Sequence, residues 1–152
     1  MRTTLRSGFV ALTVLIAVGT TPTLRATSET VQRELARARA ATALYHDVEQ
    51  ALADGYLDFG TTPSEGEGIE YVNLGLVDCS LDAERPEALR YVESGHGLRL
   101  VAVEYAIPMA CTSEPPEDFL EGAGDWEPEP GVPVWSMLVP IWSGSSLDLG
   151  DW

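Results

Sequence analysis

The chain has 152 residues, a formal charge of −15 and a sequence pI near 4.2. All nine basic residues are Arg. That balance excludes a general nucleic-acid binder, because little that is basic is available to neutralise phosphates, and it makes an anionic membrane surface a poor partner.

Arg2 and Arg6 precede an apolar run, residues 8–18, that ends in Gly19-Thr20-Thr21-Pro22. A positive start, a short apolar stretch and then small residues are the layout of a secretory signal peptide. A membrane-spanning helix needs roughly 20 apolar residues, more than this run supplies. Cleavage is expected after Ala17-Val18-Gly19 or after Leu24-Arg25-Ala26. No Cys follows the run closely, which argues against a lipid anchor, and Arg2 and Arg6 are not adjacent, so a twin-arginine signal is unsupported. The expected organisation is a signal peptide over 1–26 and one secreted domain over 27–152, extracellular or in the cell envelope, with no membrane span after processing. Removing 1–26 takes away Arg2, Arg6 and Arg25 and no acid, leaving 6 Arg against 24 acids, a formal charge of −18. Two origins of that excess stand side by side. One is adaptation to high external salt, where the Debye length falls to about 3 Å at 1 M and carboxylate repulsion is screened. The other is a GC-rich genome, which favours Arg over Lys.

Apolar or small residues recur at 31, 35, 38, 42, 45, 48 and 52, in steps of three and four. This period predicts an amphipathic helix over about 29–53, with Ser28 or Thr30 as its cap and Asp54-Gly55 as its stop. Glu49 interrupts the stripe beside Tyr45 and Leu52. Residues 58–68 read as a loop, punctuated by Gly60, Pro63, Gly66 and Gly68. A short strand is expected over 70–74 and a polar connection over 77–87. A β-hairpin follows: a strand over 88–93, a turn at Ser94-Gly95-His96-Gly97, and a second strand over 98–107. On a period of two, Arg99, Val101, Val103, Tyr105 and Ile107 share one face of that strand, and Leu98, Leu100, Ala102, Glu104 and Ala106 the other. Both faces are largely apolar, so this strand is expected at the centre of its sheet, covered on both sides. Residues 114–129 hold seven carboxylates and three prolines, and no regular structure is expected there. A last strand candidate spans 133–142, with Pro140 demoting it towards an edge or a bulge. The order of elements predicts an α+β domain: one long N-terminal amphipathic helix packed on an antiparallel sheet of about four strands, with an acidic loop at 114–130.

Cys79 and Cys111 are the only cysteines. An even count in a secreted chain points to a disulfide, worth about 3–4 kcal/mol for a loop of this length in the chain-entropy view.

Candidates for chemistry are sparse. His46 lies three positions before Glu49, so the two are neighbours on a helix surface. Together with Glu70 and Glu104 they form the weak candidate set for a metal site. Asp118, Glu121 and Asp125, near Gly122 and Gly124, offer oxygen ligands of the kind calcium takes, but their spacing matches no EF-hand and a solvated charge run is the better expectation. No G-x-S-x-G occurs, and His96 sits in a turn, so no serine nucleophile is assigned. Nothing selects one glycosidase carboxylate pair from 24 acids. Trp126, Trp135, Trp142 and Trp152 offer a sugar-stacking surface, with core packing preferred for Trp135 and Trp142.

Tyr45-His46-Asp47-Val48-Glu49 with Ala51 and Gly55-Tyr56, then Tyr71-Val72-Asn73, then Arg85-Pro86-Glu87-Ala88-Leu89 with Tyr91, and the run from Leu98 through Tyr105 together resemble a widespread family of uncharacterised secreted bacterial and archaeal proteins. The likeness covers about residues 38–116. It implies secretion and a shared fold, and no reaction. The family pattern has a His directly before Tyr-Val-Asn, where this chain has Glu70, another His before a Val-Trp pair, where this chain has Pro133, and an Asn-Pro-containing tail that this chain lacks. A metal site carried by those histidines would therefore be lost or altered here. The expected function is that of a secreted or envelope-associated acidic domain with a non-catalytic binding or structural role, no cofactor, and a small molecule or envelope component as partner. The alternative is a metal-binding protein or metal-dependent enzyme using His46 with nearby carboxylates.

Overall fold

The computed structural model describes residues 22–59 and 68–142. The apolar run at 8–18, the first cut site, most of the 58–68 loop, and Trp152 with its tail lie outside the described residues. The second cut site, after Ala26, falls within the first helix, α1 (Pro22–Thr42).

The helical region is not one long rod. α1 gives way to a 3-10 turn at Ala43–His46, and a second helix, α2, runs over Val48–Ala53. Ser28 and Thr30 are inside α1 rather than capping it. The break is at Asp47, whose backbone is extended (φ −91°, ψ 107°) and whose carboxylate accepts from the Glu49 N–H at 3.1 Å. An Asp that satisfies an orphan amide favours a restart over continuation. The restart also turns the stripe: Val31, Leu35, Ala38 and Thr42 are buried as the period predicts, but beyond Asp47 it is Ala51 that is buried, while Leu52 and Glu49 are exposed.

Among the described residues the sheet has six antiparallel strands, not about four, in the order β1-β2-β3-β4-β6-β5. They are β1 (Leu57–Asp58), β2 (Ile69–Val72), β3 (Ala88–Ser94), β4 (Gly97–Pro108), β5 (Trp126–Pro128) and β6 (Val134–Val139). β3 and β4 form the expected hairpin, closed tighter than expected: Ser94 pairs with Gly97, leaving only Gly95 and His96 in the turn. β4 is central, and Leu100 through Tyr105 are all buried. The final strand stops at Val139, so Pro140 follows it rather than interrupting it. β5, inside the acidic stretch, and β1 are additions to the expected sheet. Both are edge strands of two or three residues, and at an edge the missing N–H of Pro128 is tolerated.

Residues paired directly across antiparallel strands share a face. Arg90 pairs with Ala102 but Tyr91 pairs with Leu100, so Val101 is an extra residue, a β-bulge. Leu100 therefore joins Val103 and Tyr105 instead of opposing them, and a strict period of two misplaces the start of β4. The face so formed, with Leu89, Tyr91, Met137 and Val139, packs with Val31, Leu35 and Ala38 of α1 in a single core that also takes in Ala51, Tyr56 and Leu120. Three buried tyrosines tie irregular backbone to this core: Tyr56 donates to the Pro86 carbonyl (2.8 Å), Tyr91 to that of Tyr45 (2.7 Å) and Tyr105 to that of Ala83 (2.9 Å). Burial raises all three phenols well above their ordinary range, so they remain donors. Arg39 of α1 donates to the Ile141 carbonyl at 2.8 Å and fastens the helix to the segment after β6. Cys79 and Cys111 form the expected disulfide, joining the 73–87 connection to the turn just past β4, with Cα atoms 5.3 Å apart.

Candidate functional site

The acidic stretch after β4 is irregular in backbone but held at three points. Leu120 adopts φ 50° and is buried in the core, with only 1% of its surface exposed. A left-handed, non-glycine residue is unfavourable, and here it turns the chain so that the leucine points inward. Phe119 packs edge-on to Tyr105, with centroids 5.0 Å apart. Gly124 passes so close to β6 that a Cβ there would stand 2.5 Å from the Leu138 carbonyl oxygen and 2.9 Å from the Met137 side chain. Only glycine permits that approach.

This anchoring frames a cleft of about 290 Å³. Phe119, Trp126 and Met137 supply its apolar wall, and Glu117, Asp118, Glu121 and Asp125 its rim. All four carboxylates are exposed, and among the described residues none has a basic partner. Among the described residues the buried indole N–H groups of Trp126, Trp135 and Trp142 have no hydrogen-bond partner. Paired acids and an aromatic face suit a cation: the carboxylates attract it through space, and the ring quadrupole attracts it on contact. Asp118, Glu121 and Asp125, considered above for calcium, thus share one cleft. Trp126, half-buried, lines it, whereas Trp135 lies on β6.

The metal candidates are placed differently. Glu70 and Glu104 do come together, but around a cation of the chain itself: Arg90 pairs closely with Glu104 and lies 3.8 Å from Glu70. These three form a row across β2, β3 and β4, on the face opposite Tyr91. His46 is exposed at the end of the 3-10 turn, its ring edge-on to Trp142 at 4.5 Å. The turn sits over the Tyr91 face, since Tyr91 bonds the Tyr45 carbonyl. His46 and Glu49 are therefore on the other side of the sheet from Glu70 and Glu104. Among the described residues no group of three or more His, Cys, Asp or Glu is placed to hold a metal ion. His96 is exposed in the hairpin turn.

One buried acid escaped sequence reasoning. Glu87 is 2% exposed, immediately before β3, and its carboxylate accepts from the Ala106 N–H at 3.0 Å. Loss of water pushes its carboxyl up to about 8, opposed by backbone N–H bonds and reinforced by Asp78 and Asp82. Its signal was faint: an acid between Pro86 and an apolar strand. The segments around Tyr56, Asn73 and Pro86 converge near it on structural duties. Asn73 donates through its side chain to the Asp54 carbonyl at 3.0 Å and through its backbone to the Glu87 carbonyl at 2.9 Å, and Tyr56 holds Pro86. Among the described residues no helix is long and apolar enough to cross a membrane. Compared with known proteins, the chain matches no family model, no curated protein and no solved structure.

Proposed function

We propose that this chain is a secreted or envelope-associated binding module without catalysis, and that its ligand is cationic. One observation carries the ligand class: four exposed carboxylates with no basic partner among the described residues surround a cleft walled by Phe119, Trp126 and Met137. The charge of the whole chain, −15, adds a long-range field that draws cations to the surface and repels anions. The disulfide and the apolar run at 8–18 support work outside the cytoplasm.

The test uses L-arginine amide and tetramethylammonium as probes, read by tryptophan fluorescence and calorimetry in low salt. Saturable binding is expected, weakened at least tenfold by the triple substitution Asp118→Asn, Glu121→Gln, Asp125→Asn and also by Trp126→Ala. A signal that never saturates, or that survives the triple substitution, would reduce the interaction to diffuse attraction between a cation and an acidic protein and overturn the proposal.

A further inference from the structure

The cleft does not end at its own rim. Glu121 and Gly122 also border a second groove of about 320 Å³, which runs between α1 and Ala123. Its character is different. Val31 and Leu35 line its helix side, Ser28 and Gln32 stand beside them, and Glu121 is its one charged wall among the described residues. Val31 and Leu35 are the outermost contacts of α1 with the core, 9% and 8% exposed. A carboxylate-and-aromatic cleft thus opens, across one shared carboxylate, onto an apolar groove.

Resting on the cationic-ligand reading above, we infer that the natural occupant is an extended basic segment of a partner polypeptide, in which an Arg or Lys lies two positions from a large apolar residue. The cationic side chain enters between Phe119, Trp126 and the carboxylates, and the apolar one lies between α1 and Ala123. Two features favour a peptide over a small cation. The two cavities offer complementary chemistries side by side, whereas a small cation uses only one. Charge complementarity selects a basic chain, because Glu121 faces both cavities and no basic residue among the described residues lines either. Side chains two positions apart on an extended chain point the same way and stand about 6.6 Å apart, so such a pair can reach adjoining cavities.

The experiment compares three fluorescein-labelled hexapeptides, one containing Arg-Ala-Leu (Arg-Leu), one Arg-Ala-Ser (Arg-Ser) and one Glu-Ala-Leu (Glu-Leu), with L-arginine amide as competitor and calcium chloride as a separate arm. Polarisation is measured on the disulfide-intact protein. The Arg-Leu peptide should bind at least tenfold tighter than arginine amide and about tenfold tighter than the Arg-Ser peptide, with no binding of the Glu-Leu peptide. Gln32→Arg, at an exposed position of α1 that borders the groove, should bring Arg-Leu down to the level of Arg-Ser. If arginine amide binds but Arg-Leu is no tighter than Arg-Ser, the peptide inference fails and the cation reading stands. If arginine amide does not bind, the cation reading itself fails. Stoichiometric calcium that displaces arginine amide, with no advantage for Arg-Leu, assigns the cleft to a metal ion and overturns the inference. Undiminished Arg-Leu binding to Gln32→Arg places the peptide elsewhere and overturns it too.

Discussion

The two faces of the sheet bury themselves by different means. On one, large side chains meet α1 and the connecting loops, and three tyrosine hydroxyls hold loop carbonyls. On the other, the residues at the centre of the sheet are small. Ala88 and Ala102 are 3% and 0% exposed, and each stands directly across from a long charged side chain, Glu104 and Arg90 respectively. There the cover is the aliphatic stems of the charged residues themselves, bundled by the Glu70–Arg90–Glu104 row. Two buried acids mark the contrast. Glu104 has an arginine; Glu87 has a backbone N–H and acidic neighbours. A buried carboxylate is tolerated either by pairing its charge or by not carrying one.

The largest expected effect tests the second option. Glu87 binds its proton more tightly in the folded protein, up to about 8 against an ordinary 4.5. Its contribution is fully present below the lower value and is lost as pH rises through the upper one. At about 1.4 kcal/mol per pH unit the total loss is at most about 5 kcal/mol. Urea midpoints should therefore fall between pH 5 and pH 9, and Glu87→Gln should flatten most of that slope. Equal slopes for wild type and variant would mean that the acid is ionised in the fold and the contrast with Glu104 is empty.

Next comes the tyrosine face. Tyr105→Ala removes a fully buried ring and its contact with Phe119, and a cost of about 4 kcal/mol is expected in denaturant unfolding. Because Phe119 also walls the acidic cleft, the same variant should weaken arginine amide binding. A loss near 1 kcal/mol would show that this face is less tightly packed than its burial indicates.

On the charged face, Arg90→Met leaves Glu104 buried without its partner. Destabilisation of about 3 kcal/mol is expected, and Arg90→Met with Glu104→Leu should regain most of it. A single substitution as mild as the double would reduce the row to surface decoration. The smallest effect isolates one hydroxyl. Tyr91→Phe leaves the Tyr45 carbonyl without its donor and should cost about 1 kcal/mol, measured as a shift in the urea midpoint at constant slope.

What was legible in the sequence follows from where period and burial agree. The β3–β4 hairpin could be read because its second strand is apolar on both faces and a Ser-Gly-His-Gly turn precedes it. The disulfide could be read from an even cysteine count. The helix break could not be read from spacing, since the apolar steps run on through Asp47; the available signal was an Asp followed by Val-Glu-Gln, a helix start inside a helix. The bulge at Val101 has no local marker, because Leu100, Val101 and Ala102 are interchangeable to a hydropathy pattern and only pairing with β3 sets their faces. β5 was hidden among acids and prolines; three residues become a strand only because β6 lies beside them. The cleft was missed for a related reason. Its carboxylates were visible, but Met137 reaches the site from β6, and the groove beside it is supplied by a helix some 90 residues earlier in the chain.

The disulfide also decides how this chain responds to being cut or pulled. It closes a ring over a sequence separation of 32 that contains the whole β3–β4 hairpin. A protease nick at the exposed Gly95-His96 tip would leave both products covalently joined, visible as two bands only after reduction. Under tension between the chain ends, force bypasses the two central strands through the sulfur bridge. The oxidised protein should fall short of the reduced one by about 110 Å of extended length.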